Sequence, residues 1–207
     1  MKKRLKQFLA IGVPALLLGI AVFIIGPACS TGPVPTVVAP CDTANSAFRQ
    51  LYLNSKNTIA GSADINSWDL LIHEYSFKVA VNKTICAIGY QGNAAVFAAN
   101  VPYIIEISNS TGTVLFTSNF IFNSTRVDYR SISPVVLTAN QTYFIKRKLT
   151  NNLGNLNNNL GKVLTFTTAN HFPVTFGDLT LTSSNFYDFT AVSSGNFGIP
   201  FIDIVFQ

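Results

Sequence analysis

The chain has 207 residues, 48% of them hydrophobic and only 11% charged, against about 25% charged in an average domain. Its formal charge of +5 would ordinarily suggest nucleic acid. Lys2, Lys3, Arg4 and Lys6 supply most of that excess, however, and from Cys29 onward 10 basic residues face 9 acidic ones, so no basic patch remains for nucleic acid. Disorder is excluded over most of the length, because 17 Phe and 7 Tyr supply enough ring surface for a sizeable core.

Residues 1–28 read as an export leader. Four positive charges are followed by 21 uncharged residues, Phe8 to Ala28. Such a run suits the apolar stretch of a secretory signal and just reaches the length of a membrane-spanning helix. Ala28, Cys29 and Ser30, followed by Thr31–Pro40 with its three prolines, resemble the cleavage box of bacterial lipoproteins. That resemblance implies a lipidated Cys29 as the mature N-terminus. An uncleaved anchor and cleavage without lipid are the alternatives, and all three place the rest of the chain outside the cytoplasm, in the cell envelope. The expected address is that of an outer-membrane lipoprotein or a periplasm-facing protein.

Residues 29–41 form a Pro-rich tether. With Cys29 lipidated, Cys41 and Cys86 remain as an even pair, expected to form a disulfide in an oxidising compartment. Residues 42–60 read as a short docking segment, helix or strand. Phe48, Leu51 and Tyr52 share a helical face in Asp42–Asn54, with Asp42 or Asn45 as caps.

Residues 61–207 change to a period of two. Tyr75, Phe77, Val79 and Val81 alternate with Glu74, Ser76, Lys78 and Ala80; Cys86, Ile88 and Tyr90 share a face; Tyr103, Ile105 and Ile107 alternate with polar positions. Asn109–Gly112 reads as a turn into the strand Val114–Phe122. Strand signals recur at Arg126–Ile132, Thr142–Leu149, Val163–Thr168, Val174–Thr182 and Phe197–Phe206. The fold class is all-β, a two-layer antiparallel β-sandwich of jelly-roll or immunoglobulin-like type, following an N-terminal apolar helix. Asn151–Gly161, with six Asn and two Gly, reads as a solvated spacer loop.

No catalytic constellation emerges. Glycoside hydrolysis needs two facing carboxylates, whereas Glu74, Glu106 and Asp128 read as solvated. Asp203, the lone charge in an apolar strand, is expected to pair with Arg126, Arg130 or Arg147 inside the sandwich. His73 and His171 lack metal-ligand spacing, and there is neither a Gly-x-Ser-x-Gly elbow nor a Cys-x-x-Cys pair. No cofactor is implied. Asp64, Asn66 and Asp69 form an oxygen-rich segment that reads either as an Asx-type turn or as a site for calcium or another ligand. Trp68, within it, would either stack on a sugar or plug the core.

The words Ala87-Ile88-Gly89-Tyr90, Ser110-Thr111-Gly112-Thr113 and Pro134-Val135-Val136-Leu137-Thr138-Ala139-Asn140-Gln141-Thr142-Tyr143 are similar to an uncharacterised β-sandwich family of bacterial secreted proteins, over roughly residues 67–149. Asn140 replaces a Gly of that pattern at a position suited to left-handed backbone. The resemblance implies a binding or spacer role with no catalytic residues. The expected function is therefore a non-catalytic, envelope-anchored protein reaching the membrane through its N-terminal lipid or helix and binding glycan or an envelope protein. A structural subunit pairing through Phe197–Phe206, or a hydrolase with an unrecognised site, are the alternatives.

Overall fold

A computed structural model describes residues 41–66, 70–151, 153, 161–188 and 194–207. The expected leader, Cys29 and most of the Asn-rich loop lie outside them, as do Trp68 and Asp69.

The chain enters as helix α1 (Ala47–Thr58). Its cap is Ser46, whose Oγ accepts a hydrogen bond from the Arg49 backbone N–H at 3.0 Å, satisfying one of the orphan donors of the first turn. Neither Asp42 nor Asn45 is the cap, because Asp42 instead accepts from the Ala44 N–H at 2.9 Å in a turn just before the helix. Phe48, Leu51 and Tyr52 form the buried face as expected, joined by Ser55 one turn on. Phe48 stacks on Tyr75 at 5.2 Å and meets Phe201 edge-on at 5.6 Å, so tertiary packing holds a helix too short to persist alone.

The strands are β1 (Ala63–Ile65), β2 (Ile72–Val79), β3 (Lys83–Tyr90), β4 (Tyr103–Asn109), β5 (Val114–Phe120), β6 (Asp128–Leu137), β7 (Tyr143–Leu149), β8 (Val163–Thr165), β9 (Val174–Phe176), β10 (Leu179–Tyr187), β11 (Ser194–Gly195), β12 (Gly198–Pro200) and β13 (Asp203–Phe206), with a short helix α2 (Ala94–Ala98) between β3 and β4. The largest sheet runs β11-β10-β2-β7-β4-β5, with β9 also on β10; β13-β3-β6 and β1-β8-β12 form two smaller ones. All pairings are antiparallel. Buried residues of the largest sheet and of β3, β6 and β13 form one apolar cluster, completed by the α1 face. This is an all-β sandwich with antiparallel sheets.

The pairings β4–β5, β3–β6 and β2–β7 are nested inside one another. That is one long hairpin folded over so that successive strand pairs fall in opposite layers, the logic of a jelly roll. Asn109 makes the tip: its side-chain oxygen accepts from the backbone of Thr111 and Thr113 at 3.1 and 2.9 Å, and Gly112 takes the positive φ of 82° that closes the turn. Asn140 likewise has a φ of 63°, a value Asn tolerates better than most residues.

Three expectations about the strands need correction. Cys86 does not share a face with Ile88 and Tyr90. The ladder to β13 skips from Ala87 to Ile85, and the ladder to β6 shifts at the same place, leaving Cys86 as a bulged residue. Ile85, Ile88 and Tyr90 enter the main core, while Cys86 joins Ala87 and Val205 in a separate cluster with Cys41 and Tyr129. Val174–Thr182 is not one strand, because Gly177 (φ 56°) and Asp178 turn β9 back onto β10. Phe197–Phe206 also divides, into β12 on β8 and β13 on β3, with Phe201 and Ile202 at the corner between sheets.

Cys41 and Cys86 are joined in a disulfide, with Cα atoms 6.0 Å apart and 45 residues of separation. Such a bond fits an oxidising compartment.

Candidate functional site

Helix α1, strand β1, the segment before β8, the start of β6 and the β12–β13 corner converge on a cleft of about 330 Å³. That volume lies within the range of small-ligand pockets. Its lining includes three rings, Tyr52, Tyr129 and Phe201, and three cations, Arg49, Arg126 and Lys162, against a single carboxylate, Asp64. Tyr52 and Phe201 meet edge to face at 4.9 Å, and the Lys162 ammonium lies over both, 5.9 and 5.6 Å from their centroids.

Asp64 has both oxygens engaged. Oδ1 accepts from the Tyr52 hydroxyl at 2.9 Å, and Oδ2 faces Lys56 and Lys162, each at 3.2 Å. Burial opposes its ionisation, but Tyr52, Lys56 and Lys162 outweigh burial and hold the carboxyl below its ordinary value. The Tyr52 hydroxyl is pushed up by burial and then by the Asp64 charge.

Behind this cleft sits Asp203, fully buried. Its partners are not the arginines expected from sequence. Ser46 Oγ donates at 2.6 Å and the Tyr129 hydroxyl at 2.8 Å. Burial pushes the carboxyl up to about 6, with Ser46, Tyr129 and the charge of Arg49 acting the other way. Arg147 is occupied elsewhere, donating to the Leu71 carbonyl at 3.0 Å beside the Tyr90 and Tyr103 rings. Arg130 pairs with Asp128 at 2.7 Å.

Tyr129 is positioned by Gly89, the residue opposite it in the β3–β6 ladder. A Cβ at position 89 would collide with the Tyr129 ring, so the glycine lets the ring lie flat on β3 and reach Asp203. Ser46, Gly89, Tyr129 and Asp203 thus form a support beneath the cleft wall.

A second, more polar cleft of about 350 Å³ is lined by Asn66, Gln91, Gly92, Asn93, Ser124 and Lys162 among others. Asn66 therefore faces a different cleft from Asp64, and Trp68 and Asp69 lie outside the described residues. Among the described residues, no cluster of three metal-ligating side chains occurs. His73 is buried against Phe186, ring centroids 5.0 Å apart, and His171 lies against Phe166 at 4.9 Å.

The acidic residues read as solvated are partly withdrawn. Glu74, Lys146 and Glu106 sit directly opposite one another on β2, β7 and β4. Lys146 bridges the two carboxylates at 3.3 and 3.5 Å, and Lys148 approaches Glu106 at 2.6 Å. Glu74 is only 7% exposed, a position that only a paired carboxylate occupies readily.

No family model, curated protein or solved structure matches this chain. The site is therefore read from its own chemistry. In the sequence Asp64 stands out only as part of an oxygen-rich segment with Asn66 and Asp69, and nothing there marks Arg49, Tyr52, Arg126, Tyr129 or Lys162 as cleft residues. These are scattered over more than a hundred positions and carry no shared spacing.

Proposed function

We propose that this is an exported, non-catalytic β-sandwich, held at the cell envelope by its N-terminus, that binds glycan in the α1–β6 cleft. The observation that carries this reading is the convergence of Tyr52, Tyr129 and Phe201 with Arg49, Arg126 and Lys162 around one cavity. Sugar sites combine apolar ring surface with a few fixed polar groups in this way.

The state of the carboxylates supports a binding role over hydrolysis. A hydrolytic pair must present two free carboxyl groups to the scissile bond. Asp64 is held by a phenol and two ammonium groups, and Asp203 is closed off behind Tyr129. A role as a subunit joined through Phe197–Phe206 draws less support. Phe201, Ile202, Asp203, Ile204 and Val205 are all buried, and α1 packs beside β13.

The test is a glycan array probed with the full chain in detergent, run beside a pull-down from native envelope. Binding to a defined group of glycans is expected. One stoichiometric protein partner without any glycan signal would refute the reading. Intact mass of the native protein tests the anchor, since an unmodified Met1 start is incompatible with a lipidated Cys29.

A further inference from the structure

The cleft is electrostatically one-sided in a domain that is almost neutral. From Cys29 onward the chain carries 10 basic and 9 acidic residues, yet the cleft lining gathers Arg49, Arg126 and Lys162 around Asp64 alone. Lys56 also points at Asp64, so that carboxylate is already neutralised from two sides. Lys162 is held between Asp64 and the Tyr52 and Phe201 rings. Arg126 is exposed and, among the described residues, makes no ion pair or side-chain hydrogen bond. Arg49, exposed on α1, interacts with the Tyr129 hydroxyl and with the Asp203 charge, which offsets part of its field. Two guanidinium groups thus border a concave site with little competing negative charge in front of them.

From this we infer that the cleft binds an anionic sugar, a ring bearing a carboxylate, sulfate or phosphate group. The inference rests on the glycan-binding reading and narrows it. Planar guanidinium groups match the geometry of such oxyanions with paired N–H donors, which ammonium groups do not. The apolar part of the lining faces the same volume: Leu53 is 42% exposed, and Val127 and the half-buried Tyr129 ring stand beside it. A bare inorganic anion would leave that surface unused, and a neutral sugar would make no use of the charge on Arg126. An acidic sugar satisfies both.

The test is calorimetric titration of the full chain in detergent with trigalacturonate, a sulfated disaccharide from heparin, a neutral oligosaccharide of matched length, and inorganic phosphate. Trigalacturonate, the sulfated disaccharide or both should bind, with affinity falling as salt is raised. Because Arg126 is exposed and supports no described contact, Arg126→Gln should fold normally and weaken acidic-sugar binding about tenfold or more, with Arg126→Lys intermediate. Equal binding of neutral and acidic oligosaccharides, unaltered in Arg126→Gln, would overturn the inference while leaving glycan binding in place. Phosphate binding as tightly as any sugar would overturn the assignment to a sugar. Binding of none of the four would overturn the inference, and a glycan array blank for every sugar would remove the reading beneath it as well.

Discussion

Replacing Asp203 with Asn should make the protein more stable at neutral pH than at acid pH, relative to the wild type. The wild-type carboxyl is pushed by burial to about 6, from an ordinary value of 3.8. Between those values the native state holds a proton that the unfolded chain has released, so stability falls as pH rises through this window. Two pH units correspond to roughly 3 kcal/mol, fully lost above the native value. Asn carries no charge to desolvate, and its amide oxygen can accept from Ser46 while its nitrogen faces the Tyr129 oxygen. Near pH 4 the two proteins should differ only by the change in hydrogen-bond geometry. By pH 7.5 the balance should have moved toward Asp203→Asn by about 2 to 3 kcal/mol. Urea denaturation followed by far-UV circular dichroism at four or five pH values measures the difference directly, and carboxylates common to both chains cancel. A difference that stays flat with pH, or moves toward the wild type as pH rises, would refute the account of Asp203 as a buried group whose ionisation opposes folding.

Replacing Cys41 and Cys86 together by Ser should lower stability by up to about 4 kcal/mol, from the loop-closure entropy of a 45-residue ring. Reductant should then shift the urea midpoint of the wild type and leave the double variant unmoved. Ser46→Ala removes both the helix cap and a donor to Asp203, so a loss of about 1 to 3 kcal/mol is expected, with Ser46→Thr largely restoring it in the same assay. Lys146→Met leaves Glu74 and Glu106 facing each other across β7 and should lower stability by about 1 kcal/mol at neutral pH. Glu106 is held below its ordinary value chiefly by Lys148 and Lys146 working against burial. That part of the loss should therefore shrink as pH drops and Glu106 takes up a proton, a trend visible in urea midpoints between pH 3 and pH 7.

The layer architecture was legible because alternation is a local property: Tyr75, Phe77 and Val79, or Tyr103, Ile105 and Ile107, record their burial in the chain itself. The failures came where one residue breaks the count. Cys86 is a bulge, and no pattern within Thr84–Tyr90 distinguishes a bulged residue from a paired one, since the partner strands that define it lie elsewhere. Gly177-Asp178 was a readable hairpin signal, obscured by the apolar residues on both sides. Asp203 is the buried charge its apolar strand implies, yet Ser46 and Tyr129 hold it in place of an arginine, because neutral hydroxyl donors leave no charge signature in the sequence. The cleft was illegible for a simpler reason. Its residues come from α1, β1, β6 and the approaches to β8 and β13, and only the folded chain brings them together.

The disulfide determines how the domain would respond to mechanical load. Cys41 closes onto the middle strand of the β13-β3-β6 sheet, so tension arriving along the chain before Cys41 passes through the sulfur bridge directly into β3. Helix α1 and strands β1 and β2 lie between the two cysteines, inside the covalent ring, and are bypassed. The cleft wall contributed by α1 would then stay slack under a pull that, in a chain without the bridge, would peel the helix away first.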